Sequence, residues 1–204
     1  MIKAIIFDSG GVLFNSEKSL FDTPIEYLVR VTNQPKDIVD KAYREVIKDC
    51  EYKEVGQKEL WERIMTKLDT QIPFDGQNPI AEGFKVFRRD EELFPIIRKL
   101  KANYKLAIVS NANAVEAATP QAAGIYREFD TVILSYKVGV RKPDPKIYQI
   151  AINQLQLAPE EIIFVDNNQE NFGEANKLGL KGILFKNTEQ FKDELKHLGV
   201  KIDV

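Results

Sequence analysis

Four polar clusters in the 204-residue chain carry the residue types needed to handle an anion. Asp8 follows the Ile-rich run KAIIF (Lys3–Phe7), and Asp166 closes a second such run, IIFVD. Ser110-Asn111 follows LAIV (Leu106–Val109), and Lys142 lies in Arg141-Lys142-Pro143-Asp144-Pro145. A carboxylate can act as a nucleophile, a lysine offsets the repulsion between anions, and a hydroxyl with nearby amides can hold oxygens. Each residue also has a plain reading. An aspartate after a strand caps turns, Ser and Asn commonly end strands, and a loop lysine is ordinarily solvated. The chemistry depends on whether the fold brings the four together.

The elements predicted around them do so. Short apolar runs at Lys3–Phe7, Leu106–Val109, Thr131–Leu134, Ile162–Val165 and Gly182–Phe185 read as buried strands. Between the later runs the apolar spacing is helical, as in Ile147, Ile150, Ala151 and Leu155 after the Asp144-Pro145 start signal. Strands alternating with helices predict an α/β fold with a doubly wound, mostly parallel, Rossmann-like sheet. In such sheets ligands bind outside the carboxyl ends of the strands, which is where all four clusters fall. Residues 16–90 break the alternation. Helices are predicted near Ser16, over 36–50, over 57–68 with Leu60, Trp61, Ile64, Met65 and Leu68 on one face, and more weakly over 79–87. The expected organisation is a core of residues 1–15 and 91–204 interrupted by a small helical domain at 16–90.

Composition narrows the function classes. Lys plus Arg total 29 against 31 Asp plus Glu, a formal charge of −2, so there is no basic stripe for nucleic acid. Apolar runs of four residues do not span a membrane, and the first strand begins with no signal-like apolar region ahead of it. Cys50 is the one cysteine, which excludes an internal disulfide and a cysteine-based zinc site, and His197 is the one histidine. A soluble cytoplasmic protein is expected, with no nucleic acid and no membrane among its partners; monomer and dimer both stay open.

IIFDSGGVL, VSNAN, RKPDPKIY and IFVDNNQENFGEA together resemble the four ordered motifs of the haloacid dehalogenase-like (HAD) hydrolase superfamily. The block between the first two motifs is similar to that family's helical cap, and the likeness covers the whole chain. It is greatest to the branch with sugar-phosphate phosphatases and the phosphatase domain of soluble epoxide hydrolase. The resemblance implies a phosphoric monoester hydrolase that is magnesium-dependent and acts on a small phosphorylated metabolite, such as a sugar phosphate. By the same resemblance Asp8 is the nucleophile that forms an aspartyl-phosphate, and Ser110 and Lys142 complete the catalytic set. Ser110, Asn111 and Lys142 bind phosphate; Asp8, the Gly10 carbonyl, Asp166 and Asn167 hold Mg2+.

Two positions depart from the family pattern. Gly10 stands where a second aspartate usually protonates the leaving oxygen, and Asn167 stands where a second carboxylate often binds metal. General acid–base help is worth about 10²–10⁴-fold, so Gly10 weakens a phosphatase without abolishing it and favours anomeric or acyl phosphates. Two alternatives follow. One is a catalytically impaired binding protein of the same family. The other is a metal-independent 2-haloacid dehalogenase, against which Asp166 would place a further anion beside the nucleophile with no cation to screen it. Arg141 is expected to steer anions, and Tyr148 to pack in the core or to hydrogen-bond near the site.

Overall fold

A computed structural model describes residues 1–15, 22–74, 76 and 88–202. In chain order it contains β1 (Ala4–Phe7), β2 (Phe14–Asn15), α1 (Asp22–Thr32), α2 (Lys36–Cys50), α3 (Gln57–Lys67), β3 (Arg88–Arg89) and α4 (Leu93–Leu100). These are followed by β4 (Lys105–Ser110), α5 (Ala114–Ala122), β5 (Thr131–Leu134), α6 (Ser135–Val138), α7 (Pro145–Leu155), β6 (Ile162–Asp166), α8 (Phe172–Lys177), β7 (Lys181–Leu184) and α9 (Thr188–His197). The start of the first predicted helix, at 16–21, and the fourth, at 79–87, lie outside the described residues.

Five strands form one parallel sheet in the order β5-β4-β1-β6-β7. β1 is central and every one of its residues is buried, because both faces are covered. Alternate residues serve opposite faces. Ile5, Phe7, Ile108, Ile163 and Val165 pack with Phe94 and Ile97 of α4 and Phe191 of α9. Ala4, Ile6, Val109, Ile162 and Phe164 pack with Ile147, Tyr148 and Ala151 of α7 and Phe172 of α8. The chain steps from β1 outward to β4 and β5, then returns past β1 to β6 and β7. A reversal of this kind opens a crevice at the carboxyl ends of the strands beside β1.

Helices α1–α3 bury their own apolar cluster, including Leu28, Tyr43, Ile47, Leu60, Trp61 and Ile64, with Val115 of α5 packed against it. Trp61 belongs to this interior and donates its Nε1–H to the Ile72 carbonyl at 2.8 Å. The segment leaves and rejoins the sheet domain through β2 and β3, an antiparallel pair of two residues each. Such short strands have no periodic pattern, and the sequence contains no signal for them. Asp90 closes this stem: its amide donates to the Leu13 carbonyl, and its side chain accepts the amides of Glu92 and Leu93. No helix among the described residues is long and apolar enough to cross a membrane.

Candidate active site

The sheet register sets the site. Phe7 pairs with Val165 and with Ile108, so the next residue, Asp8, emerges level with Asp166 of β6 and beside the end of β4. The Asp8 amide donates to the Val165 carbonyl at 2.8 Å, which extends the ladder by one residue. Lys142 reaches in from the loop between α6 and α7. Its Nζ donates to Asp8 Oδ1 at 2.6 Å and to Asp166 Oδ2 at 2.7 Å. Lys142 is 2% exposed, Asp166 0% and Asp8 8%. The predicted meeting of two acidic side chains around one amine is therefore present.

Electrostatics follow from that burial. Loss of solvent pushes the Asp8 carboxyl up to about 6; Lys142 opposes the rise and the Asp166 charge adds to it. Burial would lower the Lys142 ammonium, but two adjacent carboxylates outweigh it and the net direction is upward. One cation between two anions leaves the triad a net charge of −1. Burying such a group stabilises a fold poorly compared with apolar packing, which points to use rather than to scaffolding.

Each member is held from behind. Asn111 clamps the Lys142 backbone at both ends: its Oδ1 accepts the Lys142 amide at 2.7 Å and its Nδ2 donates to the Lys142 carbonyl at 3.0 Å. Asp144 caps α7 by accepting the Lys146 amide at 2.8 Å. Asp166 Oδ1 accepts the Asn168 amide, and its Oδ2 accepts Asn171 Nδ2 at 2.9 Å besides Lys142. Tyr148 in turn donates its hydroxyl to the Asn171 carbonyl at 2.7 Å, so it supports the site at one remove while packing on Phe164. In the loop after Asp8, Gly11 has φ +78, and a Cβ there would stand 2.2 Å from Asn167 Nδ2. Glycine is required for both reasons, and the Asn167 amide rests against the Ser9–Gly11 loop.

A cavity of about 110 Å³ lies beside the loop that follows Asp8, lined by Ser9 and Gly10, by Ser110 and Asn111, and by two acids, Glu51 and Glu116. Glu51 comes from the end of α2, and Arg141 pairs with it across the junction of the helical segment and the sheet domain. That corrects the expectation that Arg141 steers anions freely. Burial raises the Glu51 carboxyl, and Arg141 opposes the rise. Burial pushes Glu116 up to about 8. Neither acid follows from the motifs of the sequence, nor does Asn171. Glu116 had one available signal, the Asn113-x-x-Glu116 spacing of a capping box, which the structure forms. Asp166 also departs from expectation. Lys142 lies between it and Asp8, so a metal-free site would not leave this anion unscreened.

The model of the haloacid dehalogenase-like hydrolase family matches residues 2–179. The chain belongs to this family. The chain is 23% identical over 205 residues to D-ribitol-5-phosphate phosphatase of Bacteroides thetaiotaomicron, covering 96% of this chain and 97% of that protein. It is 26% identical over 213 residues to drimenol cyclase drtB of Aspergillus calidoustus, covering 97% of this chain but only 37% of that protein. A solved HAD family enzyme of B. thetaiotaomicron, a magnesium complex, superposes with a TM-score of 0.78 at 20% identity, over 98% of this chain and 99% of that one. At that identity the likeness is one of fold, and the α/β HAD fold is the one described above.

Proposed function

We propose that this HAD-like hydrolase is a magnesium-dependent phosphatase acting on a small phosphorylated metabolite through an aspartyl-phosphate at Asp8. The observation that carries the proposal is the Lys142 ammonium within 2.7 Å of both Asp8 and Asp166 at the switch point of the sheet. A carboxylate attacking a phosphate ester must overcome charge repulsion, about 4 kcal/mol for unit charges 4 Å apart at an effective dielectric of about 20. Lys142 offsets that repulsion and is aimed by the Asn111 clamp. With Asp8 Oδ1 bonded to Lys142, Oδ2 is the oxygen that attacks phosphorus. Ser110 and the Asn111 amide, on the wall of the cavity, would hold phosphoryl oxygens. Water then releases phosphate and restores the Asp8 carboxylate.

The donor set suits magnesium. Asp8 and Asp166 supply carboxylates, Gly10 a carbonyl and Asn167 an amide oxygen, with the Asn167 side chain against the Ser9–Gly11 loop. Oxygen-only, partly hydrated coordination is what this cation favours. When bound, magnesium would withdraw charge from the phosphoryl oxygens. Support for the reaction class comes from relatives named as phosphatases, the ribitol phosphate enzyme among them. We assign residues 1–15 and 91–204 to the core and 16–90 to a cap that covers the cavity and selects the substrate. A cytoplasmic setting suits a substrate of this kind.

The test is turnover of p-nitrophenyl phosphate with magnesium, with chelator, and by Asp8→Asn. Magnesium-dependent release that Asp8→Asn abolishes is expected. A folded protein that binds phosphate esters without turnover would support the impaired binding protein instead. Chelator-resistant release of halide from a 2-haloacid would support the dehalogenase.

A further inference from the structure

Gly10 leaves the nucleophile's own loop without a carboxylic acid to protonate the departing oxygen. The cavity that Ser9, Gly10 and Ser110 line is also lined by Glu116, a carboxylic acid from a different element. Helix α5 begins four residues beyond the end of β4, and Glu116 is its third residue, so the same sheet edge that presents Ser110 presents Glu116. Its Oε2 accepts the Asn113 amide through a long contact of 3.3 Å.

We propose, on the phosphatase reading above, that Glu116 is the acid–base residue of this site and does from α5 what residue 10 does not do. Asp8 Oδ2 forms a bond to phosphorus as the ester P–O bond breaks, and the Glu116 proton passes to the departing alkoxide. The resulting Glu116 carboxylate takes a proton from the water that attacks the aspartyl-phosphate. The Asp8 O–P bond then breaks, inorganic phosphate leaves, and both carboxyls return to their starting forms. A proton donor extends the substrate class from anomeric and acyl phosphates to phosphate esters of ordinary alcohols, which are poor leaving groups unless protonated.

The surroundings keep the proton on Glu116 at neutral pH. Burial is the main cause and Glu51 adds to it, while the Asn113 amide and side chain oppose it without reversing it, so the carboxyl lies at about 8. Two phenols also face it: the Glu116 charge helps push up both Tyr43, from α2, and Tyr126. Glu51 is itself paired with Arg141. Glu116 is therefore a donor below pH 8 and a carboxylate above it.

A capping-box glutamate has a structural role as well, and the experiment separates the two. Glu116→Gln keeps an oxygen for the Asn113 amide but has no transferable proton. kcat/KM is measured for wild type and variant with p-nitrophenyl phosphate, whose leaving group needs no proton, and with glycerol phosphate. For glycerol phosphate the variant is expected to lose about 10²–10⁴-fold, and for the aryl ester to lose far less. The wild-type alkyl profile falls above pH 8, and the variant lacks that limb. Glu116→Asp, which keeps a carboxyl, restores part of the alkyl turnover. Equal losses on both esters, or aryl turnover by wild type with no alkyl turnover, would overturn the assignment alone. Absence of aryl turnover by wild type would overturn the phosphatase reading and this assignment with it.

Discussion

Lys142 is the residue on which two buried acids depend. Lys142→Met leaves the side-chain volume nearly unchanged and removes the charge between Asp8 and Asp166. Breaking a buried pair by removing one partner costs about 3–5 kcal/mol. Urea denaturation should show a loss of that order, and phosphatase turnover should fall by at least about 10²-fold, the scale on which a single electrostatic group acts in such a centre. Glu116 makes a prediction of opposite sign for stability. Its carboxyl lies at about 8 in the folded protein against an ordinary 4.5. The unfolded chain therefore releases its proton first, and the stability present below 4.5 is lost as pH rises toward 8. Glu116→Gln should flatten the pH dependence of unfolding free energy over that window and be the more stable protein at pH 8. Denaturation curves at pH 5 and pH 8 check this.

The loops at the strand ends hold these side chains in place. Asn111→Ala removes both hydrogen bonds that fix the Lys142 backbone. A loss of about 1–3 kcal/mol in stability is expected for the groups left unpaired. The larger effect is on kcat, because Lys142 loses its aim while the backbone amide of residue 111 stays in the cavity wall. Gly11→Ala strains a backbone at φ +78, by about 1–2 kcal/mol, and drives its Cβ into Asn167. Displacing Asn167 should weaken magnesium binding, read by titration calorimetry, more than it weakens phosphate binding. These elements differ in how legible they were. Each central strand is buried on both faces, so AIIF and IIFVD announced themselves as apolar runs, and Asp8 and Asp166 were placed with them. By the family resemblance Asn111 offers its backbone amide to phosphate; that its side chain clamps residue 142 depends on a loop 31 positions away, which no local pattern encodes.

Across the whole molecule, the helical segment and the sheet domain meet at the cavity. Their ion pair, Arg141 with Glu51, joins residues 90 positions apart. Glu51, the C-cap residue of α2, has no periodicity or motif to mark it, and only the assembled fold shows that it faces the site. The stem β2–β3 was equally invisible, since two-residue strands leave no alternation to read. Arg141→Ala should loosen this junction and raise KM several-fold with less change in kcat, as measured by steady-state kinetics on one ester. What the four motifs did convey is the order in which the chain visits the switch point of the sheet. Covalent capture of phosphate at Asp8 is the step on which the whole mechanism turns. Turnover of a radiolabelled phosphate ester, quenched in acid and mapped by peptide, should leave label on the peptide containing Asp8, released by hydroxylamine as an acyl phosphate is. Steady release of phosphate with no label on that peptide, or with label on another, would contradict it.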